Sequence, residues 1–226
     1  MISHLILGMN KQIQEIRKRL YLLRDGASSA SMRQKGVDYK LNFGVPVPKL
    51  KEIAGDYSPN MELAGLLWKE NTRELKLLAI LIQDPEHFEQ AEEWVESLQN
   101  MELAEQLAMR LLCKLPDAGD KSARWIQSDT LYTRITGFLV YIWLFRDGYL
   151  LADEKYNSYF KALFYALSDD SVLLRNAALN SLKHFSRQSA LSSQKALTEC
   201  RETELLSTDL KTQLLETLTF DTSGFY

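Results

Sequence analysis

Two stretches of this chain carry the same pattern. Residues 128–145 read SDTLYTRITGFLVYIWLF and residues 168–185 read SDDSVLLRNAALNSLKHF. Each opens on a polar turn, places an Asp five residues before an Arg, and runs on as an apolar helix. Asp129 precedes Arg134 as Asp170 precedes Arg175, an offset of 41 residues. A segment repeated at such a distance is one structural unit used more than once. A single helical hairpin cannot bury its own apolar face, so successive copies must stack.

The offset lies within the ~40–47 residue period of HEAT and armadillo repeats. Trp68 to Ala79, where Arg73 precedes another apolar helix, is a looser third copy. The rest of the chain agrees. Ile13, Ile16, Leu20 and Leu23 recur at helical spacing within an amphipathic helix from Leu5 to Leu23. Arg24 to Ala30 reads as a loop by composition, followed by a short helix over Met32–Lys40. Gly44, Pro46 and Pro48 punctuate the next turn, and Pro48 opens a helix reaching Asp56. Asn60 and Thr72 stand as caps, and Asp84-Pro85 is a stop. Further helices are expected at roughly 86–98, 101–114, 118–127, 131–145, 153–168, 170–187, 191–200 and 207–218. Period-two alternation is not sustained anywhere, so no strand is expected. The expected architecture is a single all-α domain over 1–226, a curved solenoid (α-α superhelix) of HEAT-like helical pairs, with 218–226 as a tail that Phe220, Phe225 and Tyr226 could anchor. Its concave face is the natural binding surface.

Of the 226 residues, 46% are hydrophobic and 25% charged, as in ordinary globular proteins. Cys113 and Cys200 have no metal-binding spacing, and His4, His87 and His184 do not cluster. No metal or organic cofactor is therefore implied. The apolar run near the start precedes its charges, the wrong order for a signal peptide. No run approaches the ~20 residues of a membrane span, so the expected location is cytoplasmic and no membrane partner is expected. Charge is unevenly distributed: residues 1–60 hold ten Lys/Arg against five Asp/Glu, whereas 84–105 holds eight acids and no Lys or Arg. A basic quarter can meet an anionic partner, although charge alone also describes a solvated face.

The residues resemble the DNA alkylation repair enzymes, a family of HEAT-repeat DNA glycosylases, from about Met32 to Phe185. Met32, Arg33, Phe43, Gly44, Val45 and Pro48 match its N-terminal pattern. Leu67, Trp68, Arg73 and Glu74 match its next mark. Trp125, Ile126, Ser128, Asp129 and Arg134 match its strongest, a Trp-Ile-x-Ser-Asp segment leading into an Arg-bearing helix. The resemblance implies a concave groove holding duplex DNA. The expected partner is therefore duplex DNA, alkylated or branched, and the protein is expected to be a monomer. It further implies excision of N3- or N7-alkylated purines without a base-specific flipping pocket. In active members an aspartate stabilises the oxocarbenium-like sugar, and tryptophans favour the cation through their π faces.

On this resemblance Glu105 takes the place of the catalytic aspartate, with Glu102 as the alternative one turn away. Met101 stands at the paired tryptophan and Asn180 at a further cleft tryptophan. Tyr132 is the aromatic before the cleft arginine, and Arg134 matches outright. Each lost π face removes roughly 1–2 kcal/mol of cation stabilisation. Arg134 and Tyr132 are expected to contact DNA, with Lys35, Lys40, Lys49 and Lys51 at one end of the groove. Arg175 is expected to pair with its own Asp170 or cap a helix, and Trp68, Trp94, Trp125 and Trp143 are expected in the core. Three functions remain open: a glycosylase, a non-catalytic DNA-binding module, and a scaffold whose acidic 84–105 face meets a protein partner.

Overall fold

The computed structural model describes residues 2–34 and 39–223, with side chains from residue 8 onward. Among the described residues there are thirteen α-helices and two short 3-10 turns. Extended backbone contributes only an isolated parallel bridge, between Leu41 and Thr72, among the described residues. None of the described helices is long and apolar enough to cross a membrane. The contacts divide the chain into two compact units, Met1–Trp94 and Val95–Tyr226.

The first unit holds α1 (Ile2–Leu22), α2 (Gly26–Gln34), α3 (Val47–Gly55), α4 (Met61–Trp68) and α5 (Arg73–Ile82), and α6 (Ala91–Glu96) begins in it. Half of the expected stripe on α1 is core: Ile16 and Leu20 are fully buried, Ile13 is half-buried, and Leu23 is exposed just past the helix end. Both α3 and α4 pack on α5. The Asn60 side chain caps α4, accepting from the Leu63 amide at 3.0 Å. Thr72 opens α5 but makes no side-chain cap. Trp68 and Trp94 stack face to face at 4.2 Å with Phe88 edge-on, so both indoles are core.

Of the expected loop at Arg24–Ala30, only Arg24 and Asp25 stay outside a helix, and Gly26–Ala30 open α2. Asp25 decides the matter. Its Oδ1 accepts from the Ala27 and Ser28 amides at 2.9 and 3.1 Å, and its Oδ2 accepts from the Ser28 hydroxyl at 2.7 Å. These bonds hold its carboxyl below the usual range, the Ser28 hydroxyl contributing most. An N-cap of this kind outweighs the poor helix propensity of Gly and Ser. Residues 35–38 of the expected Met32–Lys40 helix lie outside the described residues, and its far end, Tyr39 and Lys40, is not helical.

In the second unit α7 (Met101–Arg110) is followed by α8 (Ala118–Trp125) and α9 (Leu131–Arg146), then α10 (Asp153–Leu167) and α11 (Val172–Ser186), then α12 (Ala190–Glu202) and α13 (Thr208–Asp221). Consecutive helices pair as α8 with α9, α10 with α11, and α12 with α13, while α9 lies against α11 and α7 against α9. These are HEAT-like helical pairs. The 41-residue echo is physical: α9 and α11 are equivalent second helices packed side by side. Helix α13 continues past Leu218, which is fully buried, to Asp221. Asp221 meets Arg187 at 3.0 Å and Lys183 at 3.3 Å, fastening α13 to α11, so residues 218–221 are helix rather than tail. Phe220 is exposed and anchors nothing, and Phe225 and Tyr226 lie outside the described residues.

The end of α8 meets α9 at Gly137. A Cβ built there would stand 2.8 Å from the Ile126 amide nitrogen and 3.1 Å from the Trp125 Cβ. Trp125 is core, as expected, whereas Trp143 is only half-buried, with the Arg146 guanidinium over its ring at 4.9 Å. Gly137→Ala is therefore expected to cost roughly 1–3 kcal/mol by overpacking. It should lower the denaturant midpoint without changing the slope. An unchanged midpoint would mean that α8 can back away freely.

Candidate nucleic-acid interface

Arg134 lies one turn into α9, on its partly exposed side. Its Nη1 donates to the Asp169 carboxylate at 3.0 Å, across 35 residues of sequence. Its partner is thus neither Asp129 nor Asp170 but the residue that shapes the next turn. Asp169 also accepts from the Ser171 amide at 2.9 Å, while Ser171 caps α11 through the Leu174 amide. The Ser171 amide first, and then Arg134, hold the Asp169 carboxyl below its usual range. Arg175 donates to the Asp169 and Asp170 carbonyls at 2.6 and 2.9 Å. It closes its own turn through backbone carbonyls, rather than pairing with the Asp170 carboxylate. The equivalent arginines have therefore diverged: Arg175 is consumed by its own turn, and Arg134 is oriented by a neighbour while its side chain stays 21% exposed.

Arg134 lines a hollow of about 560 Å³ with Ser128 and Asp129 from the α8–α9 turn and Ser158, Lys161 and Tyr165 from α10. Tyr132 is half-buried, and its carbonyl accepts from the Thr136 hydroxyl. The α10 residues were missed from sequence. Their signal was present, because 158, 161 and 165 share one helical face, but nothing marks that face as more than solvated until it is seen opposite Arg134.

Helix α7 carries the candidate carboxylates. The Asn100 side chain caps it by accepting from the Leu103 amide at 3.0 Å, which leaves Met101 and Glu102 in the first turn. Glu105 follows one turn later and is exposed. Its pKa is nonetheless raised, first by partial desolvation and then by the Glu102 charge. Arg110, at the other end of α7, is half-buried and bonds Gln106 at 2.7 Å. Asn180 is exposed on α11. Glu105, Arg134 and Asn180 thus stand on α7, α9 and α11, three helices packed in that order.

The lysines belong to the first unit. Lys40 and Lys51 are exposed, Lys49 is paired with Glu52 at 2.9 Å, and Lys35 lies outside the described residues. The marks around them are architectural. Glu74 and Arg73, both buried, hold the Phe43–Val45 turn.

The sequence profile of the DNA alkylation repair enzyme family matches residues 16–212. The chain belongs to this family. No curated protein matches it by sequence. Among solved structures it is similar to a protein from what is described as a new family of proteins related to the HEAT-like repeat DNA glycosylases with affinity for branched DNA structures. The likeness has a TM-score of 0.74 at 18% identity, over 94% of this chain and 95% of that one. At that identity the likeness establishes the shared helical fold.

Proposed function

We propose that this family member binds duplex DNA, alkylated or branched, chiefly through phosphate contacts from Arg134, and that it excises N3- or N7-alkylated purines weakly through Glu105. The observation that carries the binding reading is the arrest of Arg134. Asp169 fixes one guanidinium nitrogen, and the side chain faces an open polar hollow. A guanidinium so held suits phosphate oxygens. The excision reading rests on Glu105, an accessible and partly desolvated carboxylate on the helix beside α9. An alkylated purine is already a cationic leaving group, so one carboxylate near the developing sugar cation is the minimal machinery. Without aromatic partners at Met101 and Asn180 the rate is expected to be low, each missing ~1.4 kcal/mol being tenfold.

Release of methylated purines from methylated duplex DNA tests the excision reading. The wild type should release slowly and Glu105→Gln should not release at all. The activity requires the ionised carboxylate, so it should fall as pH falls through the raised pKa of Glu105, above the ordinary glutamate range. Removing the neighbouring charge with Glu102→Gln should move this acid limb to lower pH while retaining activity. Loss of activity in Glu102→Gln, with Glu105→Gln unaffected, would instead assign the carboxylate to Glu102. Background release from every form would leave the non-catalytic module. For binding, Arg134→Ala should weaken duplex affinity and flatten the log K against log salt slope by about one. Affinity for DNA that is absent or indifferent to salt would favour the scaffold reading.

A further inference from the structure

Ser158, Lys161 and Tyr165 share one face of α10, looking across the hollow at Ser128, Asp129 and Arg134. A backbone phosphate contact by itself needs no recess. This one, at about 560 Å³, is of the size that holds a small molecule, ~300–1,000 Å³. Its walls divide chemically. Arg134 and Lys161 bring cations, Ser128 and Ser158 hydroxyls, Asp129 a carboxylate, and Tyr165 a ring that is 52% exposed. The residues flanking Tyr165, Phe164 and Ala166, are buried, so α10 does not need this ring for its packing.

We infer that the hollow receives one unpaired nucleotide of a DNA strand, its phosphate between Arg134 and Lys161 and its base against the Tyr165 ring. That the occupant is a nucleotide rests on the DNA-binding reading above. The parts fit this occupant. A fork and a point charge meet phosphate oxygens from two helices. An exposed aromatic ring beside a cationic groove is the general platform for unstacked bases and tolerates any of them. Asp129 repels a second phosphate, which limits the hollow to one nucleotide. It also accepts from an exocyclic amine, which cytosine, adenine and guanine carry and thymine lacks. The site is therefore expected to prefer an unpaired cytidine over a thymidine.

Fluorescence anisotropy with a blunt duplex and the same duplex bearing a short unpaired 5′ arm tests the inference. The wild type should favour the armed duplex by roughly tenfold, the usual effect of one base–aromatic stack. Tyr165→Ala should abolish that preference and leave blunt-duplex affinity and thermal stability unchanged, because the ring is outside the core. A cytidine arm should bind more tightly than a thymidine arm, and Asp129→Ala should erase the difference. If the wild type binds both duplexes equally, or if Tyr165→Ala keeps the preference, the hollow is not a nucleotide site, while the duplex reading stands. If the wild type binds neither duplex, the duplex reading fails. A 5′-phosphorylated cytidine trinucleotide then decides the hollow. Binding detected by NMR at Tyr165 and lost in Lys161→Ala upholds the site, and absence of binding overturns it.

Discussion

Glu74→Ala is expected to destabilise the protein by about 3–5 kcal/mol, the range for breaking a buried ion pair from one side. Glu74 is fully buried and Arg73 is 2% exposed. One carboxylate oxygen of Glu74 accepts from Arg73 at 2.9 Å and from the Val45 amide at 3.2 Å, and the other accepts from the Phe43 amide at 3.1 Å. Arg73 in turn donates to the Val45 carbonyl at 3.0 Å. Truncation removes the Glu74 carboxylate from beside the buried Arg73 guanidinium and takes from the Phe43 and Val45 amides the acceptor that they share. Each orphaned donor alone costs roughly 1–3 kcal/mol, although the losses overlap and do not add. Glu74→Gln retains an acceptor and should lose less. The check is denaturant unfolding followed by the fluorescence of the stacked Trp68 and Trp94, which report on the same unit. A loss below about 1 kcal/mol would show that the turn finds other partners.

The same pair shows how much the sequence disclosed. Arg73 and Glu74 were legible as a family mark and as the head of an apolar helix. Their task was not, because a charged dipeptide at a helix start ordinarily faces water. Only the arrival of residues 43–45, some thirty positions upstream, makes burial tolerable. Helices and their order were legible because apolar spacing and caps are local: Asn60 caps α4 and the 41-residue echo became α9 and α11. Asp25 was an equally local signal, outvoted by the Gly and Ser around it. Long-range polar pairing was not legible. Asp129 was the partner that the repeat pattern offered Arg134, yet Asp169, in the turn between α10 and α11, takes it. The hollow beside it was invisible for the same reason, since half of its wall comes from α10.

Gly44→Ala is the second large loss expected, roughly 2–4 kcal/mol from backbone strain and overpacking together. The Gly44 φ is +74°, in the left-handed region where a Cβ costs about 1–2 kcal/mol. Space is the harder constraint. An added Cβ would lie 2.2 Å from the Asp25 carbonyl oxygen and 2.8 Å from the Ser29 amide nitrogen. Both are backbone atoms, so no side chain can swing aside. Relief requires the start of α2 to move away. That movement strains the Asp25 amide bond to the Phe43 carbonyl at 2.8 Å and the Ser29 hydroxyl bond to the Asn42 carbonyl at 2.8 Å. Gly44 is thus the contact point through which the Asp25-capped helix leans on the turn that Glu74 holds. Substitutions at 44 and 74 loosen one turn from opposite sides, so Gly44→Ala/Glu74→Ala should destabilise by less than the sum of the single losses. Strict additivity in that double-mutant cycle would mean that the two sides of the turn are held independently. Held below its unfolding transition, Gly44→Ala should still show the Arg134-dependent salt slope. A flattened slope there would mean that this turn also organises the DNA contact, rather than serving architecture alone.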